Sequence, residues 1–193
     1  MAERTLDEQA AAVAKAVRDA FRAVLDDRLA ALVIHGSAVT GYIPRFSDFD
    51  FEAFLHGPLR PEDALDIGAR LQRVELGPFA YLQLSRVIDV DDPGARMAGL
   101  IDDAYAVACG ALPATWAFHS EAVLRERGRE AIERIPSAVA TCVEDATTAR
   151  GDRHYRVVRY LATVLKPALR GLLAECSEPV LDVWRAPHDD LAE

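Results

Sequence analysis

Two short apolar runs lie close together near the start of the chain. ALVIHG (31–36) is continuous and ends in glycine, and DFDFEAFL (48–55) alternates acidic and apolar residues before turning apolar. Their length and their Val, Ile and Phe content mark them as strands rather than helices. The segment between them carries Gly41, Pro44 and Ser47, residues that make turns. The two runs are therefore read as the first and second strands of the chain.

An amphipathic helix is expected over 5–29. Leu6, Ala10, Val13, Val17, Phe21 and Val24 recur at helical spacing, and Thr5 with Glu8 has the form of a capping box. After the second strand, Pro61 opens a helix with apolar Leu65, Ile67, Ala69 and Leu71, closed by Gly77-Pro78. FAYLQLSRVI (79–88) reads as a third strand bounded by DVDDPG. The remainder reads as helical, over about 95–109, 114–127, 129–149 and 152–174, with breaks near Pro113 and Pro136. The expected order is helix, strand, strand, helix, strand and four helices, an α+β arrangement. It divides into a first domain over 1–92 and a helical domain over 93–193.

With 193 residues, half of them hydrophobic, the chain can bury a sizeable core. It carries 31 acidic against 22 basic residues, a net charge of −9. A protein that grips a long polyanion usually shows the opposite balance, so long DNA or RNA is disfavoured as a partner. Cys109, Cys142 and Cys176 are odd in number and show no CxxC spacing, which reads as three reduced thiols. His56 and His188 cluster with no other zinc-type ligand in the sequence. The first residues lack the layout of a secretory signal, and no apolar run is long enough to span a bilayer. The expectation is a cytoplasmic protein without a membrane partner.

The chemistry sits in one window. Gly36-Ser37 ends the first strand, and Asp48-Phe49-Asp50 follows after ten residues. Alternate residues of a strand point to one side, so Asp48 and Asp50 face the same space with Cα atoms about 6.5–7 Å apart. Two carboxylates this close repel unless a cation lies between them. Magnesium, which takes oxygen ligands and shares them with phosphates, suits such a pair. Gly36 lets a phosphate approach the backbone, and the Ser37 hydroxyl adds a donor.

This arrangement resembles the polymerase-beta-like nucleotidyltransferase superfamily: an apolar strand, Gly-Ser, a spacer of about ten, then Asp-x-Asp. Leu32, Val33, Ile34 and Ser47 fit as well. Within that superfamily the layout is most similar to the small bacterial antibiotic nucleotidyltransferases and their toxin–antitoxin relatives. The resemblance implies a small mixed sheet flanked by helices and followed by a helical bundle. It implies transfer of a nucleoside monophosphate from a nucleoside triphosphate to an acceptor hydroxyl, with two magnesium ions. Asp48 and Asp50 would be the catalytic metal ligands, and Gly36 and Ser37 the phosphate contacts. Cations of the helical domain, Lys166 and Arg159, would neutralise the triphosphate, against an equal reading as a solvated cationic face.

The family's third acidic residue falls on the next strand. Here that slot holds Gln83, and Asp89 at the strand's end is the available substitute as a metal ligand. The expected acceptor is a small hydroxylated molecule of antibiotic type. A protein side chain or a tRNA end comes next, and a nucleotide-binding regulatory protein without turnover is the alternative. Tyr42 and Arg45, in the spacer, read at least as well as loop residues, and His35 as a hydrogen-bonded strand-end histidine. Trp116 and His119 read as packed between helices, Glu144 and Asp145 as an exposed helix face, and the Arg153-His154-Tyr155 run as structural.

Overall fold

The computed structural model describes residues 4–148, 151–176 and 179–187. Two compact units are present, the first ending at Phe118 and the second running His119–Ala186.

The first unit begins with α1 (Glu8–Leu25), β1 (Leu29–His35), the single turn α2 (Ser37–Thr40) and β2 (Phe49–Leu55). It continues with α3 (Pro61–Leu71), β3 (Leu82–Asp89) and β4 (Tyr105–Gly110). The four strands form one mixed sheet in the order β3-β2-β1-β4. β1 runs antiparallel to both β2 and β4, and β2 runs parallel to β3 across the α3 crossover. Helix α1 is capped by Asp7, whose carboxylate accepts from the Ala10 N–H at 2.7 Å, and not by the Thr5/Glu8 pair expected from sequence. Asp satisfies an orphan N–H as well as Thr does and also complements the helix dipole.

The two faces of the sheet differ. One face is dry: Leu32, Ile34, Phe49, Phe51, Ala53 and Leu55 pack on Val13, Val17 and Phe21 of α1. Phe21 meets Phe51 edge-to-face at 5.9 Å. In α3 the buried positions are Asp63 and Ile67, while Leu65, expected on the apolar face, is 75% exposed. Asp63 is held by Arg28 Nη1 at 2.6 Å. The other face is dry over one half only, where Ala31, Val33, Phe54 and Ile88 are covered by Leu100, Tyr105 and Trp116. Its remaining half carries the polar residues described below.

Two sequence expectations are corrected here. Residues 105–109 lie within the helix expected over 95–109, yet they belong to β4, which pairs with β1 from Ala31 to His35. With this fourth strand, the first compact unit runs to Phe118. Residues 111–120 contain no helix, and the two helices expected over 114–127 and 129–149 are one, α4 (Glu121–Thr148), which runs through Pro136.

The second unit comprises α4, α5 (Asp152–Cys176) and α6 (Val180–Arg185). Gly128 of α4 and Gly171 of α5 bring the two backbones together: a Cβ added to Gly128 would lie 2.5 Å from the Gly171 Cα. Leu124, Ala168, Ala174, Val180 and Trp184 are buried. Cys109, Cys142 and Cys176 are all free. Among the described residues, no helix is long and apolar enough to cross a membrane.

Candidate active site

The polar half of the second face is built where the C-terminal end of β1 meets the start of β2. Burial alternates strictly across the motif: Ser47, Phe49 and Phe51 are buried, and Asp48 and Asp50 are half-buried. The backbone here is held in the parallel ladder, with the Phe49 N–H donating to the Tyr81 carbonyl and the Ala80 N–H to the Ser47 carbonyl. Because Phe49 and Phe51 are committed to the α1 side, Asp50 faces the opposite side of β2, and Asp48 immediately precedes the strand.

Asp50 lies in register with His35 on β1 and with Gln83 on β3. The next residue, Gly36, adopts φ +65° and ψ −146°, a conformation essentially reserved for glycine. A Cβ at this position would stand 2.6 Å from Asp50 Oδ2, so the carboxylate occupies the space a side chain would take. Ser37 Oγ donates to the Asp48 carbonyl at 3.1 Å, and Thr40 Oγ1 donates to the Gly36 carbonyl at 3.1 Å. The Ser37 hydroxyl thus ties the Gly-Ser turn to the Asp48 backbone, and the Asp50 carboxylate packs against Gly36.

At the sheet edge, the Tyr81 hydroxyl donates to Gln83 Oε1 at 3.1 Å. Burial, and then the negative charge of Asp50, push the Tyr81 phenol above its usual pKa, which keeps it a hydrogen-bond donor at neutral pH. Gln83 is therefore the residue set beside Asp50 in the third strand. Asp89 is not brought to this site. It is in register with Leu55, five positions along β2 from Asp50, a separation of about 16 Å. Its Oδ1 instead accepts from the Gly57 and Asp91 N–H groups at 3.1 and 3.0 Å, closing the loop after β3.

Glu52 continues the acidic row one step along the strand. Sequence reading passed it over because it sits where DFDFEAFL turns apolar. Only 4% exposed, it is gripped by Arg86: Nε and Nη2 reach Oε1 at 3.0 and 2.9 Å, and Nη2 reaches Oε2 at 2.8 Å. The Arg86 guanidinium also donates to the Ala98 carbonyl at 2.8 Å and lies 5.2 Å from the Trp116 ring centroid. Burial raises the Glu52 pKa against the opposing pull of the Arg86 charge and hydrogen bonds. His35 Nε2 stands 3.8 Å from Glu52 Oε1. Glu52 is thus committed to its ion pair with Arg86.

Tyr42 belongs to the opposite side of the first unit, with its ring 4.7 Å from that of Phe79 and its hydroxyl donating to Gln9 Oε1. Trp116 packs edge-to-face on Phe54 at 5.1 Å. Lys166 and Arg159 are half-buried residues of α5 in the second unit, and burial holds Arg159 below the usual arginine pKa. Glu144 and Asp145 are exposed on α4. His188 and the Arg153 and Tyr155 side chains lie outside the described residues.

Among the described residues, no group of three or more His, Cys, Asp or Glu side chains is arranged to hold a metal ion. The pair formed by Asp48 and Asp50 nonetheless has the chemistry magnesium uses. Its donors are the hard oxygens of two carboxylates, next to the Gly36 turn. Compared with known proteins, the chain matches no protein-family model and no curated sequence.

Proposed function

We propose that the Asp48–Asp50 face is the active site of a polymerase-beta-like nucleotidyltransferase, which moves a nucleoside monophosphate from a nucleoside triphosphate to a hydroxyl of a small acceptor. The observation that carries this reading is the fit of the Asp50 carboxylate against the Cβ-less Gly36. That contact couples a turn able to receive phosphate to the start of an acidic strand. The mixed sheet, with its antiparallel β1–β2 pair and parallel β2–β3 pair, is compatible with the fold of that superfamily.

In this reading Asp48 and Asp50 hold magnesium, which when bound neutralises phosphate charge and supports both attacking and leaving oxygens. The Ser37 hydroxyl ties the turn to the Asp48 carbonyl, so the phosphate contacts and the carboxylates keep one spacing. Tyr81 and Gln83 offer neutral polar groups to an acceptor at the sheet edge. Their contribution is positioning, consistent with a reaction accelerated mainly by orientation and charge stabilisation. The test is pyrophosphate release across a panel of hydroxylated acceptors. Turnover that survives in Asp48→Ala/Asp50→Ala overturns the assignment.

Gln83 supports a second reading. An amide in register with Asp50 neither takes a proton at neutral pH nor binds a hard cation as a carboxylate does. A nucleotide-binding regulatory protein of toxin–antitoxin type would need no more. Tight nucleotide binding by calorimetry in magnesium, without turnover on any acceptor, protein or tRNA end, favours this alternative.

A further inference from the structure

A second polar cluster lies in the three-helix unit. Arg127 of α4 and Arg170 of α5 both approach Trp184 of α6, with guanidinium carbons 5.7 and 6.0 Å from the ring centroid. Two like charges gathered around one indole repel, and burial makes the repulsion stronger. Natural interiors tolerate such a pair when an anion compensates it. Among the described residues, neither guanidinium has a carboxylate within ion-pair distance. Glu130, the acid whose charge reaches Arg127, forms its own ion pair with Arg134 at 3.9 Å.

The hydrogen-bond inventory points the same way. Arg170 Nη2 donates to the Ala186 carbonyl at 3.1 Å, but its Nε is buried with no partner. The indole Nε1 of Trp184, a residue 3% exposed, is likewise buried with no partner. Buried donors are almost always satisfied, so two orphans in one cluster call for an acceptor from outside the protein. Arg170 feels this environment: burial, and then the charge of Arg127, hold its pKa below the usual arginine value. Arg127 is exposed, which gives the cluster an open side toward solvent.

We propose that Arg127, Arg170 and Trp184 form a binding site for a phosphoryl oxyanion, either free phosphate or the phosphate group of a small ligand. The ligand class follows from the donors. Guanidinium groups match phosphate geometry, and a phosphoryl group offers three acceptor oxygens where a carboxylate offers two. The site is independent of Asp48 and Asp50, so its failure would leave the nucleotidyltransferase reading untouched.

The test is isothermal titration of the full chain with inorganic phosphate and with glycerol phosphate, against sodium chloride of equal ionic strength. Saturable binding of either phosphate and none of chloride is expected. Tighter binding of glycerol phosphate identifies a ligand-borne group, and tighter binding of inorganic phosphate identifies the free ion. Arg127→Gln should weaken binding about tenfold or more, the usual loss for a charge-assisted hydrogen bond. Without phosphate, this variant should melt no lower than the unmodified protein, because it removes a like-charge neighbour. Trp184→Phe, which keeps the ring and removes the N–H, should weaken binding while remaining folded. No binding at millimolar phosphate, or equal binding by Arg127→Gln, overturns the proposal.

Discussion

Arg86 closes on both carboxylate oxygens of Glu52, and Glu52 stands two residues from Asp50 on the same side of β2. The pair forms the boundary between the dry and polar halves of that face. On one side lie Phe54, Ile88 and Trp116; on the other lie His35, Asp50 and Gln83. A buried carboxylate in this position needs its cation, which leads to the first prediction.

Arg86→Met should destabilise the first unit by about 3–5 kcal/mol, the cost of leaving a buried charge unpaired. Adding Glu52→Leu should recover most of the loss. Denaturant unfolding of the single and double variants measures both. A single variant as stable as the unmodified protein would show that Glu52 is already neutral.

The same pair sets a pH dependence opposite to that of most carboxylates. The folded-state pKa of Glu52 is raised, so the folded protein holds this proton more tightly than the unfolded chain. The Glu52 contribution to stability is therefore greatest below the ordinary glutamate pKa and falls as pH rises toward the raised value. In Arg86→Met, which lacks the group that lowers this pKa, the falling window should extend to higher pH. The deficit of the variant should shrink on acidification, as measured by unfolding free energy against pH.

Gly36→Ala should damage the site more than the fold. The backbone there has positive φ, and the new methyl would press on Asp50 Oδ2. Strain of about 1–3 kcal/mol is expected in stability. Nucleotide and magnesium affinity should fall together, because the turn and the carboxylate would separate. Retention of both affinities would show that the contact has no functional role.

Gln83→Glu would place a third carboxylate in register with Asp50. Without metal it should lower the melting temperature through like-charge repulsion. With magnesium it should raise it, and the midpoint of a magnesium titration should move to lower concentration. Asp50→Asn should do the reverse, with a loss of at least about 100-fold in any transfer activity, matching the several kcal/mol a catalytic metal supplies. A Gln83→Glu variant indifferent to magnesium would separate this position from the metal site.

Gly128→Ala should loosen the α4–α5 hairpin by about 3 kcal/mol, the upper range for overpacking. The obstacle is Gly171 backbone, which has no flexible end to move aside. A thermal melt of the variant reads this directly.

β1 and β2 were legible because their residue patterns state length and burial: a continuous apolar run for β1, and for β2 an alternating start in which half-buried Asp50 lies between buried Phe49 and Phe51. The Gly-Ser and Asp-x-Asp spacing could be read for the same reason, since strand geometry fixes where alternate side chains go. β4 was not legible. YAVACG (105–110) is rich in alanine, which favours helix, and only pairing with β1 decides against that preference. Its closing Gly110 lies against the Ala30 carbonyl, where no other residue fits, but that contact spans eighty positions. Glu52 was missed for a similar reason: its partner is 34 residues away. A bulge in the β2–β3 pairing, between Phe51 and Glu52, sets Arg86 rather than Ser85 opposite it. The Arg127–Arg170–Trp184 cluster needs three helices to exist and leaves no local pattern in any of them.

The narrow space between Gly36 and Asp50 also disciplines how the sheet assembles. If β1 slid one position along β2, His35 or Ser37 would arrive where Gly36 now sits, and a side chain would meet the carboxylate instead of bare backbone. Phe49 and Phe51 would turn from the α1 side to the polar side in the same slip. A misaligned hairpin is thus rejected twice, once by hydrophobicity and once by collision. The residue that shapes the turn also proofreads the strand alignment on which the turn depends.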